Sequence, residues 1–180
     1  MKPKGSKGFA SLSPETKEIA ALLTKAKTPK KDYNEITEAL TKSNQRDNKA
    51  KLLSQLFTSG MPLKGNLHFV IQVIGFSGNV ENLYQSLETL INSGLSVKKE
   101  KPLFESFLDE NKTSPEMANA FSRLHKAGLT FAKHKRLYDQ LAELRVSVDT
   151  KAEAIIILYE NELDESHNQL IYYNLLGDSQ

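Results

Sequence analysis

Glu160, Asp164 and His167 stand at i, i+4 and i+7. A single helix through all three would gather two carboxylates and an imidazole on one face, as a metal site requires. A helix break is expected near Asp164, so the reading adopted is a solvated acidic turn, with no metal and no other cofactor. His125 falls in an otherwise apolar column and reads as a partly buried structural histidine. His68 and His134 have no positioned acid or nucleophile beside them. The chain has no cysteine, which excludes disulfides, cysteine zinc sites and thiol catalysis. It also lacks a phosphate-binding Gly-rich loop, a dinucleotide fingerprint, a His-Glu-x-x-His pair and a nucleophile elbow. No enzyme is expected.

The chemistry that recurs is cationic. Lys30, Lys64 and Lys98 are spaced by 34 residues, and Lys31, Lys99 and Lys133 occupy the next column, where Gly65 interrupts. Lys101, Lys135 and Arg136 extend the cluster. Each column falls where a helix is expected to begin. A cation there opposes the macrodipole at a cost of about a few tenths of a kcal/mol. Cations placed against a local preference imply a use, and phosphate contact is the natural one. The formal net charge of +2 hides an asymmetry: residues 1–60 hold 12 Lys/Arg against 6 Asp/Glu, and residues 61–180 hold 12 against 16. The positive front suits a polyanion or an acidic partner.

The elements that must position these side chains follow from the same 34-residue period. Gly60, Gly94 and Gly128 mark it, and five apolar columns share its register. They are Ile19, Leu53, Leu87, Phe121, Ile155; Leu22, Leu56, Leu90, Leu124, Leu158; Ile36, Val70, Phe104, Tyr138, Tyr172; Ala39, Val73, Phe107, Leu141, Leu175; and Leu40, Ile74, Leu108, Ala142, Leu176. With 39% hydrophobic residues, one such column arises by chance about one time in a hundred, and the 3 and 4 spacings within each unit are helical. Helices are predicted at about 14–26, 31–42, 46–59, 65–76, 79–93, 99–110, 114–127, 132–145, 150–162 and 166–176. Leu67–Phe76 is rich in β-branched residues and would read as a strand alone; the register predicts a helix. Ser13-Pro14 and Ser114-Pro115 read as N-cap and first helical position, and Thr150 with Glu153 as a capping box.

The expected fold is therefore all-α, a right-handed solenoid of antiparallel helix pairs. Residues 1–12 are expected to be a basic flexible tail, without the apolar stretch of a secretory signal. Residues 13–180 are expected to form a single helical-repeat domain. About four pairs span 28–162, with a leading and a closing helix.

The 34-residue helix pair, the opening Tyr33-Asn34, the inter-helix turn Ser77-Gly78-Asn79-Val80-Glu81 and the exits Gly60-Met61-Pro62 and Gly94-Leu95 together resemble pentatricopeptide repeats over roughly residues 28–163. The tetratricopeptide pattern fits less well, since the chain has no tryptophan. The resemblance implies RNA held along a groove lined by the first helix of each pair, with two positions per repeat reading a base. The first position falls on Asn34, His68, Pro102 and Arg136, which makes Asn34 and His68 groove residues. The second falls near Leu63, Val97 and Phe131, where apolar residues stand in place of the usual Asp or Asn. Lys42 sits where the family often places a phosphate-contacting lysine.

Two functions are expected from these features. One is single-stranded RNA binding, mainly through the backbone, by Lys30, Lys31, Lys64, Lys98, Lys99, Lys133, Lys135 and Arg136. The alternative is a protein-interaction scaffold that takes an acidic or helical partner in the same groove without RNA. No apolar run is long enough to span a bilayer, and a reducing compartment, cytoplasm or organelle matrix, is expected.

Overall fold

The computed structural model describes residues 13–109, 113–144, 147–163 and 166–177. Every regular element among them is helical: α1 (Pro14–Lys25), α2 (Lys30–Lys42), α3 (Arg46–Thr58), α4 (Leu67–Gly75), α5 (Val80–Asn92), α6 (Lys101–Ser106), α7 (Pro115–Lys126), α8 (Phe131–Ala142), α9 (Val148–Glu160) and α10 (Gln169–Leu176). The expected tail, residues 1–12, lies outside the described residues.

Helix starts follow the expected chemistry at two places. Ser13 Oγ accepts the Thr16 amide at 3.3 Å, and Ser114 Oγ accepts the Met117 amide at 3.4 Å, each followed by a proline at the first helical position. There the missing N–H costs nothing. Helix ends share one device. Gly60, Gly94 and Gly128 have φ of +93°, +92° and +92°, a left-handed conformation open to glycine because it has no Cβ. That geometry turns the next amide back onto the helix: Met61 N–H to Leu56 O, Leu95 N–H to Leu90 O and Leu129 N–H to Leu124 O, at 3.1, 3.2 and 3.0 Å. Glu162 adopts φ +63° without being glycine. The bond after it, Leu163 N–H to Leu158 O at 3.0 Å, is the same.

Two of the predicted columns lie wholly in the core and three in part, with Leu22, Ala39, Leu108, Ala142, Leu158 and Leu175 half-buried. Ile19, Leu53, Leu87, Phe121 and Ile155 are at most 1% exposed, and Ile36, Val70, Phe104, Tyr138 and Tyr172 at most 2%. α4 is a helix despite its β-branched composition, because Phe69, Val70, Val73 and Ile74 fall on one face and are buried together. Tertiary burial outweighs a propensity worth under about 1 kcal/mol per residue.

Two expectations are corrected. α6 covers 101–106 rather than 99–110. The chain from Ser96 to Glu100 is a turn, with the Glu100 carboxylate accepting the Ser96 amide at 2.7 Å. After Ser106 the amides of Phe107, Leu108 and Asp109 bond three residues back, at 3.3, 3.0 and 3.3 Å, so the helix tightens and stops. Thr150 and Glu153 do not form a capping box. α9 begins at Val148, its N-cap Ser147 is left-handed without a side-chain cap, and Glu153 instead pairs with Arg123.

The helices form two compact units, residues 1–80 and 81–180. In the first, α1 packs on α3 and α2 on α4, with sequential neighbours also touching. In the second, α7 packs on α9, α8 touches both, and α10 packs on α9.

Candidate nucleic-acid interface

In the first unit, Lys49 settles how α2 and α4 lie. It sits on α3, is 4% exposed, and its Nζ donates to Ile74 O at 2.7 Å and Ser43 Oγ at 2.8 Å. The Ser43 hydroxyl donates to the same Ile74 carbonyl at 3.0 Å. Ser43 caps the carboxyl end of α2, and Ile74 lies in the last turn of α4. Their carboxyl ends are thus tied together, the two helices run the same way, and their amino ends share one end of the unit. Lys30 and Lys31 open α2. Lys64 lies in the turn before α4, shaped by Gly65 at φ +83° and by the Asn66 side-chain Nδ2 donating to Pro62 O at 2.6 Å. All three lysines are exposed, as are Asn34 on α2 and His68 on α4. Burial of Lys49 away from water holds its ammonium below the ordinary lysine value.

In the second unit, Lys98 and Lys99 lie in the turn before α6, and Lys133, Lys135 and Arg136 on the first turns of α8. All five are exposed. α8 is kinked at His134 (φ −121°, ψ 33°), whose ring meets Tyr159 edge to face at 5.9 Å. Behind α8, Tyr138 donates to Leu129 O at 2.7 Å. Burial, with the Glu100 charge adding, pushes its phenol well above the usual value. Tyr172 makes the equivalent bond to Leu163 O at 3.0 Å. Between α6 and α8 lies a cleft of about 370 Å³ lined by Pro102, Leu103, Phe131, Lys135 and Asp139 among others.

Ion pairing sorts the cations. Lys135 is held by Asp139 one turn on, Lys101 by Glu105 at 3.4 Å, and Lys42 by Glu38 at 2.6 Å. That last contact keeps the Glu38 carboxyl below its ordinary range through the hydrogen bond and the lysine charge. Among the described residues, Lys30, Lys31, Lys64, Lys98, Lys99 and Lys133 have no carboxylate within ion-pair distance. The second set of positions implied by the resemblance is buried: Leu63, Val97 and Phe131 are 9%, 2% and 9% exposed.

The remaining candidates are not assembled into sites. Glu160 and His167 are exposed, Asp164 lies outside the described residues, and no cluster of three metal-binding side chains occurs among the described residues. His125 is half-buried, as expected. Its buried Nδ1 has no hydrogen-bond partner among the described residues. No described helix is long and apolar enough to cross a membrane. Sequence reasoning missed Lys49, and the signal was available, because its column one and two periods on holds the buried Leu83 and Met117. No protein-family model, curated protein or solved structure matches this chain.

Proposed function

We propose that this is a helical-repeat protein of pentatricopeptide-like build that holds single-stranded RNA through its phosphate backbone. The observation that carries the reading is the set of six exposed lysines without carboxylate partners, each at or just before the start of α2, α4, α6 or α8. An unpaired cation keeps its full charge for a phosphate, whereas a lysine already in an ion pair must exchange one partner for another. The repeat itself is supported by the left-handed residues at 60, 94, 128 and 162 with their matching hydrogen bonds. It is supported again by the paired tyrosine bonds at 138 and 172. The lysines stand at or just before the starts of α2 and α4 in the first unit and of α6 and α8 in the second, so each unit offers its own cluster to a phosphate. The buried Leu63, Val97 and Phe131 offer no polar edge to a base, so contacts with phosphate dominate and sequence preference is weak.

The same burial favours a second reading, a scaffold that takes an acidic or helical protein in place of RNA. Fluorescence anisotropy with two unrelated single-stranded RNAs separates the two. Backbone binding predicts similar affinities for both, in the range of roughly 1–100 μM near physiological salt, and a steep loss as salt rises. No binding even at low salt removes the RNA reading and leaves the scaffold.

A further inference from the structure

Charge is polarised along the chain more sharply than its net value suggests. Residues 1–31 carry 8 Lys against 2 Glu, and residues 152–180 carry 6 Asp/Glu and no Lys or Arg. The described part of each stretch contributes to a surface in its own unit. In the first unit, an open groove of about 630 Å³ runs along α1 and is lined by Lys17, Ala20, Ala21, Thr24, Lys25 and Tyr33. Its floor is small and apolar, and Lys17 and Lys25 on its rim are exposed. In the second unit, α9, the turn after it and α10 expose Ile157, Leu163, Leu170 and Ile171, at 51%, 38%, 71% and 44%. Glu160 and Glu162, at the end of α9 and in the turn after it, are both exposed. Tyr172 and Leu176 are buried, so α10 presents Leu170 and Ile171 outward on its other side.

We infer that the acidic, apolar α9–α10 face of one molecule docks on the basic α1 groove of a second copy, head to tail. Leu170 and Ile171 enter the groove over Ala20 and Ala21, and Glu160 and Glu162 meet Lys17 and Lys25. Each surface supplies what the other lacks: aliphatic side chains against a small-residue floor, and carboxylates against ammonium groups. Neither surface is self-complementary, since each carries charge of one sign, so a two-fold dimer through either is disfavoured. A contact between two different surfaces leaves one of each free at the ends of every assembly, and growth continues past the dimer unless a ring closes. The ionic part is exposed, so association weakens with salt.

Sedimentation velocity of the full chain tests this over a range of concentrations without nucleic acid. The expected wild-type result is an average mass that rises with concentration from 20.2 kDa past twice that value, and falls back in high salt. Leu170→Lys with Ile171→Lys blocks one face, and Lys17→Glu with Lys25→Glu blocks the other. All four positions are exposed, and far-UV circular dichroism checks that each variant keeps its helices. Each variant alone stays a monomer. Their equimolar mixture regains one intact interface and stops at the dimer. A wild type that is monomeric at every concentration overturns the proposal, whether the acidic face then proves free or bound to a different basic protein. So does a mixture that stays monomeric, because that outcome means the two surfaces are not partners.

Discussion

The two units meet the same packing problem with different chemistry. Both tie a buried polar side chain to a backbone carbonyl outside its own helix. The first uses a cation, Lys49 donating to Ile74 O and Ser43 Oγ. The second uses a phenol, Tyr138 donating to Leu129 O. Around those ties the first core is mainly aliphatic, while the second has an aromatic cluster: Phe107 and Phe121 meet edge to face at 5.8 Å, Phe131 and Tyr138 edge to face at 5.3 Å, and Phe121 and Tyr138 tilted at 4.8 Å. Their surfaces also diverge. Residues 1–80 hold 13 Lys/Arg against 6 Asp/Glu, and residues 81–180 hold 11 against 16. Cores and fields of opposite character can therefore occur among helices that end in the same left-handed turn.

The largest expected effect is in the aromatic cluster. Phe121→Ala should cost about 3–5 kcal/mol by chemical denaturation, and Leu53→Ala, in the same column of the aliphatic unit, about 2–5 kcal/mol. A loss under about 0.5 kcal/mol at either position would mean that its column packs nothing.

The polar ties come next. Lys49→Met and Tyr138→Phe should each cost about 1–3 kcal/mol, because each strands a carbonyl or hydroxyl that loses its donor. Their pH responses have opposite signs. The Tyr138 pKa is raised by folding, so its contribution is complete below the ordinary value of 10.0 and is lost as pH climbs toward the folded value. The Lys49 pKa is lowered by folding, so the cost of burying its charge is relieved as pH rises through the folded value toward 10.5. Melting curves at alkaline pH should show Tyr138→Phe losing its deficit relative to wild type, while Lys49→Met falls further behind. The same trend in both variants would contradict this assignment.

How much of this was legible in the sequence depends on what each feature needed. The helices and core columns could be read because shared spacing multiplies weak signals: Leu67–Phe76 alone reads as a strand, yet Val70, Val73 and Ile74 fall in apolar columns and are buried on one helical face. The glycine turns could be read because left-handed backbone selects glycine, and Glu162 could not, because nothing in its side chain asks for φ +63°. The short α6 and the start of α9 were illegible for a different reason. At α6 the Glu100 carboxylate closes a local turn on the Ser96 amide, and near the start of α9 Glu153 is taken by a tertiary partner, the Arg123 guanidinium, that no local pattern displays. Of the candidate site, the lysine positions were visible and their ion pairing was not. Lys135 and Lys133 look alike in sequence, but Asp139 stands one turn after the first and engages it.

A smaller effect sharpens the contrast between the surfaces. If the field of each unit sets its share of polyanion binding, replacing Lys30, Lys31 and Lys64 with Gln should weaken single-stranded RNA binding more than the same change at Lys98, Lys99 and Lys133. Equal losses would mean that local contacts alone matter.

The central claim is that these unpaired lysines contact phosphates, and the most direct test is the salt dependence of that binding. Anisotropy titrations at several salt concentrations give the slope of log affinity against log salt for wild type and for each triple variant. The account predicts a slope shallower by about 0.7 for every phosphate contact removed, hence by up to roughly 2 for three lysines, with the same change on unrelated RNA sequences. Variants that bind with an unchanged slope would contradict it.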